Sequence, residues 1–160
     1  MAKSVLISIK PKWCELIASG KKTVEVRKKR PKLKPPFKVY IYRTKGSVKH
    51  LCGGKWWNMP VGGTVIGEFV CDKIVEFENS WYDPAFYETS TLSCVDVEEL
   101  ARYIGKNDYG YSWHISNLVI YDKSKDLADF KIAKEFGGYE ELKTISKPPQ
   151  SWFYVEELKE

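Results

Sequence analysis

The chain has 160 residues, 43% of them hydrophobic and 29% charged, with a formal net charge of +5. That is about one domain's length and the composition of a globular protein, not a disordered one. Its apolar runs fall far short of the roughly 18 residues of a membrane span. The start, MAKSVLISIK, lacks a signal peptide's apolar core of roughly 7–15 residues, so a cytoplasmic protein with no membrane partner is expected.

Lys3–Ile9 alternates, with Val5, Ile7 and Ile9 on one side, and predicts a strand. Pro11 suits a first helical turn, and residues 12–19 carry Trp13, Leu16 and Ile17 at helical spacing. Gly20 then fits a left-handed helix end. Residues 22–28 (KTVEVRK) alternate again, and a basic, proline-rich connector (KKRPKLKPP) leads to a strand over residues 37–44. Residues 45–63 read as a long glycine-containing loop holding His50 and the pair Trp56–Trp57. A strand, or two joined by a bend, is predicted over residues 64–77, and residues 78–95 read as irregular and aromatic. Val97–Ile104 predicts a short helix closed by Gly105. Residues 111–121 predict a strand, 124–136 fit neither template, and 151–158 (SWFYVEEL) predict a closing strand. No repeat and no long linker divides the chain, so residues 1–160 are expected to form a single α+β domain. Its predicted architecture is a small mixed or antiparallel β-barrel with flanking short helices.

The cysteines, Cys14, Cys52, Cys71 and Cys94, form no CxxC pair and are expected to be reduced thiols. His50 and Cys52 supply two ligand types where tetrahedral zinc takes four, so neither a metal nor a cofactor is expected. No GxSxG, P-loop or dinucleotide fingerprint is present.

The charge is unevenly placed. Residues 1–60 hold 16 of the 26 Lys and Arg but only two acids, Glu15 and Glu25, so this part carries +14 and the remainder −9. Such asymmetry is the footprint of a polyanion binder, the plainer alternative being a solvated basic face.

Residues 20–27, GKKTVEVR, fit a G-x-K-x-x-E-x-R pattern between a helix and a strand. With the preceding strand and SG-ended helix, the following FKVYIY, GTVIGEFVCDKI, YGYSWHISNLVIYDK and KPPQSWFYVEEL, the chain resembles the ASCH family, in its phage- and Firmicutes-type branch. The resemblance implies a PUA-like fold and nucleic-acid ligands, usually RNA, bound in a cleft beside the motif. It also implies that some members hydrolyse, as amidohydrolases on 4-acetylcytidine or as ribonucleases. Those amidohydrolases use a lysine, a threonine and a glutamate. The lysine corresponds to Lys22, the threonine position is occupied by Glu25, and Glu68 is a candidate for the glutamate.

Glu25 and Arg27, two apart on a strand, share a face. They form either a structural ion pair or a charged cleft in which Arg27 is a planar fork and Lys22 a point charge. Lys22 follows a helix end that stabilises its charge, while Lys21, Arg27 and Lys28 disfavour it, and burial decides between them. The charge asymmetry fits a polyanion, and the resemblance makes nucleic acid, RNA before DNA, the expected partner, contacted by Lys21, Lys22, Thr23, Glu25, Arg27, Lys28 and His114. Trp56 or Trp57 would stack on bases, or else both would cover a barrel end. Trp13, Trp113 and Trp152 are expected in the core or a cleft wall. The alternative is a hydrolase of a modified nucleoside, or a ribonuclease, with Lys22 and Glu25 catalytic and His114 as acid. A two-histidine ribonuclease would need both His50 and His114. His114 could equally be a strand residue satisfied by backbone. A third reading is a module docking an acidic protein.

Overall fold

The computed structural model describes residues 3–159, except for the side chains of residues 135 and 136. Among these residues ten strands and three α-helices follow one another: β1 (Lys3–Ile9), α1 (Pro11–Ala18), β2 (Val24–Arg27), β3 (Phe37–Arg43), β4 (Gly46–Cys52), β5 (Lys55–Val61), β6 (Thr64–Glu78), α2 (Pro84–Ser93), α3 (Val97–Ile104), β7 (Tyr109–Lys125), β8 (Lys131–Phe136), β9 (Tyr139–Thr144) and β10 (Trp152–Glu156). The fold is mixed α+β, as expected. The main sheet has the hydrogen-bonded order β10-β1-β3-β6-β7-β2. Among the described residues β10 and β2 end that order without pairing to each other, so the predicted barrel is not closed.

The chain divides into two compact units, residues 1–15, 38–68 and 119–160, and residues 16–37 and 69–118. In the first, β1 pairs antiparallel with β10 and parallel with β3. A strand flanked on both edges and covered on both faces is buried along its length, and β1 is buried from Ser4 to Ile9 rather than on alternate residues. Its polar Ser8 is satisfied by donating its hydroxyl to the Pro149 carbonyl, 2.6 Å away. Leu6, Tyr40, Tyr42, Val65, Phe130, Ile145 and Val155 form this unit's core, with Tyr40 and Phe130 edge to face at 4.9 Å.

In the second unit β2 pairs antiparallel with β7, Val24 opposite His114 through Arg27 opposite Tyr111. Val26, Phe77, Phe86, Leu100 and Ile104 form its core. Trp113 is fully buried, edge-on to Phe37 at 6.0 Å, a core role within the range expected for it.

Three segments differ from the sequence expectation. Residues 45–63 are a β-hairpin: β4 and β5 pair across Gly53–Gly54, both at positive φ, the conformation a two-residue hairpin turn demands. Both faces of this ribbon lie largely in water, so no hydrophobic alternation marks it. Residues 78–95 contain α2, started by Pro84 and by an Asp83 carboxylate that accepts from Ala85 N at 2.9 Å. Its end is a left-handed Cys94 where glycine is the usual signal. Residues 124–136 hold the end of β7, a 3-10 turn (Leu127–Asp129) and β8, which pairs with β9.

Candidate functional site

The GKKTVEVR segment lies wholly in the second unit and is built from a helix end, a tight turn and a short strand. Gly20 takes φ +79 after α1, and Lys22 N reaches back to the Leu16 carbonyl at 3.0 Å, closing the helix as glycine allows. Residues 21–23 then run along the end of α2. Cys94 Sγ donates to the Lys21 carbonyl at 3.4 Å, Lys22 Nζ to the Ser93 carbonyl at 2.8 Å, and Thr23 N to the Leu92 carbonyl at 2.9 Å. Thr23 in turn accepts from Ile115 N at 2.9 Å.

The Lys22 side chain is 1% exposed. Its ammonium does sit at a helix C-terminus, but at that of α2, remote in sequence, and not that of α1. Burial depresses its pKa, and the Arg27 guanidinium pushes the same way, while Glu25 opposes both. Desolvation therefore wins the contest that the sequence left open.

Glu25 is the hub of the group. Its Oε1 accepts from Arg27 Nη1 at 2.8 Å and from Val26 N at 3.0 Å, with Lys22 Nζ 3.9 Å away. Its Oε2 is buried without a hydrogen-bond partner among the described residues. Arg27, with 11% of its side chain exposed, also donates to the Val26 carbonyl at 2.8 Å. One carboxylate thus compensates two cations in a space that excludes most water. Tyr103 borders the group, donating to the Val26 carbonyl at 3.4 Å, and its phenol pKa is raised by burial. Lys28 stands over the Tyr103 ring at 5.1 Å. Neither Tyr103 nor Ser93 was singled out from the sequence, because each arrives from a helix remote in the chain.

Facing residues of paired strands point to the same side. Glu25 therefore shares a face with Trp113 and Arg27 with Tyr111, while His114, opposite Val24, belongs to the other face. Burial lowers the His114 pKa, Lys73 adds to that, and Asp72 and Glu88 oppose it. The strand alternation thus separates His114 from the Lys22–Glu25–Arg27 group it was expected to join. Trp56, Trp57 and His50 lie on the exposed hairpin of the first unit. Glu68, on β6 in the same unit, is bound at 3.2 Å to Lys38, which holds Glu157 at the same distance. Among the described residues, no three His, Cys, Asp or Glu side chains cluster as a metal site would require, and no helix is long and apolar enough to cross a membrane.

The chain is thus a mixed α+β protein with a buried Lys-Glu-Arg group where a helix end meets a strand. The family model of the ASCH domain matches residues 7–145, and the chain belongs to that family, one associated with RNA binding. The fold is shared with an ASCH protein of Zymomonas mobilis at 18% identity, covering 96% of this chain and 87% of that one with a TM-score of 0.66. Two single-residue variants of that protein align at TM-scores of 0.59 and 0.57, with 15% and 16% identity. They cover 96% and 97% of this chain and 88% and 91% of theirs. No curated protein matches the chain.

Proposed function

We propose that the chain is a single ASCH domain of PUA-like type that binds nucleic acid, RNA before DNA, along the basic strip that begins at the GKKTVEVR segment. One observation carries this reading. Between residues 20 and 36 the only acid, Glu25, is buried and paired, so the exposed charges there, Lys21, Lys28, Lys29, Arg30, Lys32 and Lys34, are all positive. In this reading Glu25, Lys22 and Arg27 form the support that fixes the strip's start, and the outer cations meet phosphates. A polyanion meeting such a strip releases counterions, which makes its affinity fall with salt.

The test is an anisotropy titration of labelled RNA and DNA at several salt concentrations, with wild type and a Lys21→Gln/Lys28→Gln/Arg30→Gln variant. Loss of three phosphate contacts reduces the salt slope for a single strand by about 2. An unchanged slope and affinity would reject the strip as the contact surface.

A second reading, hydrolysis of a modified nucleoside of the 4-acetylcytidine type or of RNA, is favoured by the same group's chemistry. Lys22 has a depressed pKa and lies beside a carboxylate with one uncommitted oxygen, the pairing that nucleophilic or general-base catalysis uses. Acetate release from 4-acetylcytidine, abolished in Lys22→Ala, would establish it. The absence of release, with RNA binding intact, leaves the binding function alone.

A further inference from the structure

The first unit holds a second basic surface, away from the family motif in sequence. A cavity of about 800 Å³ is lined by Lys10, Lys12, Lys45, Lys49 and His50 and by one acid, Glu15. Glu15 is already approached by Arg43 at 3.8 Å, so the lining is left strongly positive. The volume lies within the range of sites that enclose small ligands or pieces of larger ones.

The β4–β5 hairpin that forms one wall is fixed at both legs. The position a Cβ would take on Gly46 lies 3.4 Å from the Pro11 ring, so strand β4 starts against the first turn of α1. On the other leg Gly62, at φ +86, brings the backbone so near the Thr44 carbonyl that no side chain fits, and Gly63 N donates to the Arg43 carbonyl at 2.7 Å. The ribbon is therefore a held platform.

That platform presents large apolar groups to water: Leu51, Trp56, Trp57 and Met59 are all about half exposed or more. Its register places Trp57 directly opposite His50, which lines the cavity, and Trp56 opposite Leu51 on the other face. Trp57 Nε1 donates to the Cys52 carbonyl at 3.3 Å, which sets the indole in place before any ligand arrives. An oriented ring beside a cationic groove is the combination that single-stranded nucleic acids use, phosphates on the cations and a base on the ring. A duplex keeps its bases stacked on one another and has no free face to offer.

We infer that this groove binds a single-stranded nucleic acid segment, with phosphates on Lys10, Lys12 and Lys45 and a base stacked on Trp57. The inference rests on the nucleic-acid reading above and adds a second contact surface and a preference for unpaired bases. It is tested with a labelled 16-nucleotide RNA, alone or annealed to its complement, by anisotropy across a salt series. The single strand is expected to bind more tightly than the duplex. A Lys10→Gln/Lys12→Gln/Lys45→Gln variant should weaken binding and lower the salt slope by about 2. Trp57→Ala should cost about 5- to 160-fold in affinity, and Trp56→Ala far less. If the groove variant and Trp57→Ala bind as wild type does while the Lys21/Lys28/Arg30 variant fails, this inference falls and the proposed strip stands. Tighter binding of the duplex overturns the single-strand assignment. If wild type binds neither RNA at low salt, the nucleic-acid reading and this inference fall together.

Discussion

Between Lys22 and Arg27 three charges are drawn into the second unit and close on one another, whereas on the hairpin Lys49 and Lys55 stand in water beside exposed indoles. The first arrangement is what a sequence motif captures, since burial fixes residue type and spacing. The second is compositionally loose, because a phosphate accepts any nearby cation and a base any aromatic face. The difference teaches that the motif's most constrained residues are buried on one another; in the proposed reading they support the surface, and contact falls to neighbours that no motif records.

The sharpest way to break this contrast is Glu25→Ala. It strands Lys22 and Arg27 without their shared carboxylate, and removing one partner of a buried ion pair costs about 3–5 kcal/mol. Urea unfolding should show that loss, and a loss under about 1 kcal/mol would mean the group is open to water. Next is Gly62→Ala, which combines positive φ with a Cβ in the space of the Thr44 carbonyl. Strain of this kind alone costs about 1–3 kcal/mol. Gly53→Ala is the comparison, since its φ is positive but nothing lies within 4 Å. Its midpoint in urea should shift less, and equal shifts would dissolve the claim that the hairpin's base is clamped.

A smaller effect concerns pH. His114 has a folded pKa below its ordinary 6.5, so the folded state holds fewer protons than the unfolded one as pH falls through that range. Its contribution to stability is complete above about 6.5 and is lost as pH drops toward the lowered folded value. The difference between wild type and His114→Gln should follow this course in urea titrations from pH 8 to 5. The smallest effect is expected of Trp57→Ala, whose side chain is exposed: stability within about 0.5 kcal/mol of wild type. A larger loss would make the indole a structural cover and not a free ring.

Much of the fold was legible where one physical signal dominated. Pro11 and Gly20 bracket α1, and Val97–Ile104 carries its apolar stripe and a terminal glycine, so both helices match expectation closely. The α2 helix was hidden because its buried residues Phe86, Thr89 and Ser93 fall at helical spacing but only the first is apolar, which leaves no hydrophobic stripe to read. The hairpin was hidden for the converse reason, exposure of both faces, although Gly53–Gly54 was its turn signal in plain sight. At the site, the shared face of Glu25 and Arg27 followed from strand alternation, and their pairing is one of the two arrangements that the sequence left open. The depth of Lys22 and its acceptor, Ser93, did not, because they depend on an element 71 residues further along.

That separation has a consequence for the chain during synthesis. Residues 21, 22 and 23 meet residues 94, 93 and 92 in reverse order, three rungs set by two rigid lengths. A residue inserted or deleted between positions 20 and 24, or within the last turn of α2, puts every rung out of step at once. At roughly 5–20 residues per second of translation, the Ser93 carbonyl follows Lys22 by about 4–14 s. Throughout that interval the Lys22 ammonium lacks its native acceptor, so a cation that is buried in the folded protein begins as one that must stay hydrated until a late helix arrives.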